Sequence, residues 1–291
     1  MTVPDGVLPV DKPEGPTSHD AVAVARRVLG VRRIGHTGTL DPFASGLLLL
    51  CVGRATRIAE YLTGLPKTYR ALARLGIATD TDDRTGRPIG GSETWRDLSA
   101  AEVEAALQAM VGPQLQVPPA YSAKKQGGER MYERARRGEP VDLPAVPVTI
   151  HGIDVVGLDL PDVEFDVECS SGTYIRSIAR DLGERLGTGG HLVALRRTRI
   201  GRHDVGVAVP LDRLGDPETV AQAWLSPASA LSHLPPAQAD AREAEEISHG
   251  APISAPDGLP EETLVAVVHD GGLIAVAEAR GGLLRPRKVF A

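Results

Sequence analysis

The stretch Gly35–Arg57, GHTGTLDPFASGLLLLCVGRATR, decides how the rest of the chain is read. It opens in a glycine-rich turn holding His36 and reaches a single carboxylate, Asp41, with Pro42 directly after it. After Gly46 an unbroken apolar run, Leu47 to Val52, has the pattern of a strand buried on both faces. Gly53 closes that strand, and Arg54 to Tyr61 continue with helical spacing. Asp41 is therefore expected on a loop, restrained by a proline, just ahead of a core strand. Loops held by a rigid scaffold are where chemistry is commonly placed. Asp before Pro also starts ordinary Asx turns, and spacing alone leaves both readings open.

Upstream, Val7 to Val10 reads as a short strand ending at Asp11-Lys12-Pro13. A helix follows, with Thr17 or Ser18 as its cap, Ala21, Val22, Ala25, Val28 and Leu29 on one face, and Gly30 as its stop. Downstream, Lys67 to Ile77 alternates as a strand with Tyr69, Ala71, Ala73 and Leu75 on one face. Asp80 to Gly91 is polar and turn-rich and reads as a surface loop, and the four acids Asp80, Asp82, Asp83 and Glu93 read as solvated rather than metal-binding. Ser99 and Glu102 form a capping box ahead of a helix through Met110. Lys124 to Glu139 is a basic segment with Gly127-Gly128 near one end and Gly138 at the other, expected as a mobile arm. Two strands follow, Val146 to Leu158 and Val163 to Cys169, then a helix from Tyr174 to Leu186 and a strand from His191 to Gly201. Leu225 to Asp240 is rich in Pro, Ala and Ser and reads as a linker, placed at 226–240. Beyond it, Thr263 to Val268 and Leu273 to Ala277 flank Asp270-Gly271-Gly272, a hairpin signal. Strands and helices mix without a βαβα rhythm, which favours α+β with a largely antiparallel sheet over a doubly wound fold.

Composition narrows the function class. The 291 residues are 42% hydrophobic, enough for a sizeable core. The two cysteines, Cys51 and Cys169, sit in apolar runs and read as buried free thiols. No C-x-x-C and no His pair at ligand spacing occur, so no metal is expected. No window approaches eighteen apolar residues and no signal peptide opens the chain, so a soluble cytoplasmic protein without membrane contact is expected. A net charge of −6 argues against unspecific nucleic-acid binding by the whole surface. Local basic clusters are nevertheless present: Arg26, Arg27, Arg32 and Arg33; the 124–139 segment; and Arg196, Arg197, Arg199 and Arg202. They suit a defined RNA track as well as solvated helix faces and strand ends.

The block GHTGTLDPFASGLLL resembles the signature of the TruB family of tRNA pseudouridine synthases. The resemblance extends to VDKPEGPTSHDAV, KTYRALARLGIATDTDD, SSGTYIRSIARDLG and HLVALRRTRIG, in that order between Val10 and Gly201. It implies a pseudouridine synthase core, with a mixed, largely antiparallel sheet and a central RNA-binding cleft, over residues 1–225. It also implies a small β-rich, PUA-like domain at 241–291. The implied reaction isomerises uridine-55 in the T-loop of tRNA. The base is flipped, the N1–C1′ bond breaks, and the base rejoins through C5, without cofactor or metal. Asp41 would act as the nucleophile at C1′ or as the base that removes the 2′ proton. Arg176 would be its cationic partner and Tyr69 would stack on the target base. Tyr174 would line the pocket, Lys67 would lie near it or meet a phosphate, and Leu195 would pack under the base. His36 would fill the space that the flipped nucleotides leave. Lys12 would be an RNA or a structural contact. The implied partner is the tRNA T stem-loop, bound by a monomer that needs no protein partner. A guide-dependent synthase and a catalytically idle RNA chaperone are the rival readings.

Overall fold

The computed structural model describes residues 3–120 and 143–290, together with the short strands Lys125–Gln126 and Glu129–Arg130. In chain order it begins with β1 (Gly6–Lys12), α1 (Ser18–Leu29), β2 (Ile34–His36) and β3 (Ser45–Val52). A 3-10 turn, Gly53–Ile58, leads into α2 (Ala59–Thr63), so the helical spacing after Gly53 is met by two kinds of helix. Next come β4 (Lys67–Leu75), β5 (Ala78–Thr79), β6 (Pro88–Gly90), α3 (Ala100–Gln108) and β7 (Gly112–Gln116). β8 and β9 are the two short strands already given, paired antiparallel. The rest of the 124–139 arm lies outside the described residues. β10 (Val146–Asp159), β11 (Asp162–Cys169), the helix Ile175–Arg185 and β12 (Gly190–Ile200) follow. The remaining strands are β13 (His203–Asp204), β14 (Val209–Pro210), β15 (Pro236–Gln238), β16 (Ile253–Ser254), β17 (Leu264–His269), β18 (Gly272–Arg280) and β19 (Leu283–Val289).

The chain divides into two compact units. The first comprises Met1–Asp41, Leu47–Thr63 and Gly201–Ala291. In it β1 lies between β14, which it pairs in parallel, and β3, while β2 runs antiparallel to β3. Leu47 to Leu50 of β3 are fully buried on both faces, as the unbroken run requires. Leu48 and Leu50 meet Ala21, Val22 and Ala25 of α1 in one core with Leu8, Val10 and Val209. α1 starts at a Thr17 capping box completed by Asp20 and stops at Gly30, whose φ of 67° suits glycine. The unit also holds a five-stranded sheet in the order β15-β17-β18-β19-β16, with its own apolar core. The hairpin signal is met there: Asp270 and Gly271 both have positive φ between β17 and β18.

The expected linker is corrected. Residues 226–240 contain the helix Pro227–Ala230 and β15, which pairs in parallel with β17. The prolines that suggested a linker stand where a regular element tolerates them. Pro227 opens a helix capped by Ser226, and Pro236 begins a strand at the sheet edge.

The second unit comprises Pro42–Gly46 and Gly64–Ile200. β12, β4, β11, β10 and β7 lie side by side, every neighbouring pair antiparallel. The first two residues of β3 pair in parallel with Arg196 and Arg197 of β12. The molecule is thus α+β with a mixed, mostly antiparallel sheet. The helix Ile175–Arg185 packs on β12, and the approach depends on Gly183. A Cβ there would stand 2.2 Å from the backbone of Gly189 and Gly190. Both cysteines are buried and free, and burial pushes the Cys51 thiol up to about 12 and that of Cys169 to about 11.

Candidate active site

In the first unit Asp41 is half-buried on the irregular loop between β2 and β3. The loop is fastened from α1. Thr17 performs the capping, which leaves the Ser18 hydroxyl to donate to Leu40 O at 3.2 Å and accept from Leu40 N at 2.8 Å. At the loop's start Thr37 N donates to Leu49 O of β3. His36 Nδ1 accepts from Gly38 N at 3.3 Å, and the ring meets His19 edge-on with centroids 5.4 Å apart. Lys12 is fully buried, and its ammonium donates to Pro13 O at 2.8 Å and Pro16 O at 2.9 Å. Of the two expected roles for Lys12, the structural one is observed.

In the second unit Tyr69 of β4 stands opposite Arg197 of β12, and Ala71 stands opposite Leu195. Residues directly opposite share a face, and alternate residues of one strand do also. Lys67, Tyr69, Leu195 and Arg197 therefore lie on one face, all of them buried. Arg197 is only 1% exposed, so one arginine of the expected basic stripe is an interior group. The Lys67 ammonium donates to Leu65 O at 2.8 Å. Burial and then the nearby Arg197 charge bring its pKa down to about 8.

Tyr174 is the N-cap residue of the helix Ile175–Arg185 and has extended backbone angles. Its backbone is gripped from both sides by one buried amide. Gln116 Oε1 accepts from Tyr174 N at 2.8 Å, and Gln116 Nε2 donates to Tyr174 O at 3.1 Å. Arg176, 5% exposed, donates through Nη1 to Thr81 O at 3.0 Å and to Asp83 Oδ2 at 3.3 Å. The other Asp83 oxygen accepts from Thr81 Oγ1 at 2.9 Å, Thr85 N at 2.9 Å and Thr85 Oγ1 at 2.6 Å. One turn along the helix, Arg180 pairs with Asp82 at 3.0 Å. Burial raises the Asp82 carboxyl against the pull of Arg180 and Arg176.

The solvated acidic loop is thus corrected. Asp83 is 4% exposed and Asp82 is largely covered, because each faces an arginine from the same helix. Composition hid this, since a run of acids among threonines and glycines reads as surface. The one available signal was the four-residue spacing of Arg176 and Arg180, which puts both guanidiniums on one helix face. Gln116 carried no signal at all. Among the described residues no cluster of His, Cys, Asp and Glu can hold a metal ion, and no helix is long and apolar enough to cross a membrane.

Asp41 thus lies on a loop fastened from α1, Tyr69 lies on a sheet face, and Arg176 is buried and held by Asp83. Residues 26–175 match the model of the TruB family pseudouridylate synthase N-terminal domain. Residues 176–232 match that of the tRNA pseudouridylate synthase B C-terminal domain. A tRNA pseudouridine synthase B of Thermobifida fusca is 46% identical, covering 99% of each chain. Another, of an Arthrobacter species, is 44% identical over 98% of this chain and 96% of its own. Among solved structures, an H/ACA RNP bound to a substrate RNA containing 2'-deoxyuridine superimposes with a TM-score of 0.77. It is 26% identical and covers 98% of this chain and 85% of that one. With more than half its length inside the family's N-terminal model, and relatives this similar from end to end, the chain belongs to the TruB family of pseudouridylate synthases.

Proposed function

We propose that this protein isomerises uridine to pseudouridine in tRNA, at position 55 of the T-loop. The observation that carries the reading is the full-length similarity to enzymes named tRNA pseudouridine synthase B, with Asp41, Tyr69 and Arg176 all present in their motif blocks. In the proposed reaction Asp41 attacks C1′ or removes the 2′ proton, the N1–C1′ bond breaks, and the base turns and reattaches through C5. The C5 proton is lost and N1 gains one, so nothing is consumed and no cofactor is needed. Arg176 is the cation that keeps Asp41 ionised in a dry pocket, and its buried, anchored guanidinium suits that role. Tyr69 stacks on the flipped base over Leu195, Tyr174 borders it, and His36 takes the space the nucleotides leave. Lys67, its pKa brought down to about 8, lies on the same face as Tyr69, near the pocket.

The protein is further proposed to work in the cytoplasm as a monomer, without a guide RNA or a protein partner. Coverage of 99% of the Thermobifida fusca relative, with that name, supports the stand-alone form over the guide-dependent one. Incubating the purified chain alone with a tRNA transcript labelled with tritium at uridine C5 tests both statements. Stoichiometric tritium release with no addition is expected. Release only when guide RNA and further proteins are supplied would reverse the choice, and no release in either case would reject the enzyme reading.

A further inference from the structure

We propose that Ser18 is a positioning residue for Asp41, acting through the backbone of Leu40. The inference rests on the reading of Asp41 as the reacting carboxylate. Ser18 is the first residue of α1 and is 1% exposed. A serine there would ordinarily spend its hydroxyl on a free helix N–H. Here Thr17 and Asp20 complete the capping box without it. The Ser18 hydroxyl instead reaches twenty-two residues along the chain and holds both backbone polar groups of one residue, Leu40 N in the peptide before it and Leu40 O in the peptide that leads into Asp41. Leu40 immediately precedes Asp41, and its side chain is buried. On the far side Pro42 fixes its own φ and restricts Asp41 away from helical angles. Asp41 is thereby held between an anchored residue and a proline, on the irregular loop between β2 and β3. A carboxylate that must meet one carbon of the ribose loses rate steeply when displaced by about 1 Å. A hydroxyl that fixes the preceding peptide controls that displacement without touching substrate.

The test compares Ser18→Ala with Thr17→Ala, which removes the capping box of the same helix one residue earlier and leaves the Leu40 clamp in place. Single-turnover tritium release and tRNA binding are measured separately, at a temperature well below both melting points. Ser18→Ala should lower the single-turnover rate by about ten- to a hundredfold, with tRNA Kd within about twofold of wild type. Exchange of the Leu40 amide should accelerate. Thr17→Ala should melt at lower temperature, with rate and Leu40 exchange unchanged. Ser18→Thr keeps a hydroxyl and should recover most of the rate. Should Ser18→Ala fail to fold, Ser18→Cys keeps the volume with a weaker hydrogen-bonding group, and it should shift rate and exchange in the same direction. A Ser18→Ala or Ser18→Cys rate equal to wild type, or parallel losses in Ser18→Ala and Thr17→Ala, would overturn the proposal. Inactive wild-type protein would reject the proposed function instead, and unchanged Leu40 exchange in the Ser18 variants would still defeat the clamp.

Discussion

Arg176 is opposed by the buried carboxylate of Asp83 at 3.3 Å. Four further contacts fix the pair: three donors on Asp83 Oδ1 and the Thr81 carbonyl on Arg176. Removing one partner of a buried ion pair costs about 3–5 kcal/mol, most of it for the charge left behind. Asp83→Asn should therefore destabilise the chain by a few kcal/mol and lower turnover, since the guanidinium loses its fixed bearing; chemical denaturation and tritium release measure the two effects. Asp41→Asn keeps size and hydrogen-bonding capacity but is neither a nucleophile nor a base. It should fold, bind tRNA and release no tritium, and substantial turnover would remove Asp41 from the mechanism. Lys67 gives a pH signature. Its folded pKa is about 8, against an ordinary 10.5, so the unfolded chain binds more protons between these values. The stability contributed by Lys67 is then fully present above 10.5 and is lost as pH falls through about 8. Wild type should gain stability relative to Lys67→Met on going from pH 7 to 10, read from unfolding midpoints; a constant difference would mean the ammonium is not perturbed.

At the scale of elements, β3 is the piece on which the active loop ends, and its second residue explains a glycine in the signature block. Gly46 has a φ of 107°, and a Cβ there would stand 2.2 Å from the carbonyl oxygen of Arg197 in β12. Backbone strain and a clash with backbone act together, so Gly46→Ala should cost about 3 kcal/mol or more and displace the start of β3. Its melting temperature and its turnover should fall together, whereas a stable, fully active variant would show that β12 yields easily. The helix Ile175–Arg185 is held at its start by Gln116 and at its end by the close approach of Gly183. Sequence legibility at this scale was high wherever one rule sufficed. The α3 capping box, the alternation of β4 and the β17–β18 turn were all readable, and the α1 cap was readable to within one residue, Thr17 or Ser18. It fails at residues 226–240, where proline content masks a short helix and an edge strand.

For the whole chain, the final strand bears on what the C-terminal sheet does. Lys288 pairs with Glu60 at 2.7 Å, Arg54 donates to Phe290 O at 2.9 Å, and the Arg57 guanidinium lies over the Phe290 ring. Arg287 is engaged by Glu278. Of the C-terminal cations Arg280, Arg285, Arg287 and Lys288, the last two are thus already paired with acids, which leaves Arg280 and Arg285 as exposed candidates for tRNA contact. A chain ending at Ser232 should keep turnover per folded molecule, melt at lower temperature and bind tRNA more weakly. Its salt dependence should fall by about one to two in log–log slope, the share of two phosphate contacts. Loss of turnover in well-folded truncated protein would place the sheet in the reaction itself, and unchanged affinity would make it purely a structural cap.

The sequence by itself determined the family, the α+β class, the strand at Leu47–Val52 and the loop carrying Asp41, because each rests on local pattern or on a motif contiguous along the chain. Tertiary structure alone decided which polar groups face each other. Ser18 with Leu40, Gln116 with Tyr174, and Asp83 with Arg176 are separated by 22, 58 and 93 residues. Their pairing is fixed by how strands and helices pack, and no one-dimensional pattern encodes it. The same holds for charge. Lys12, Asp83 and Arg197 read as surface residues because ionised side chains rarely enter a core, and they are interior because the fold brings each a partner or a carbonyl before water is lost.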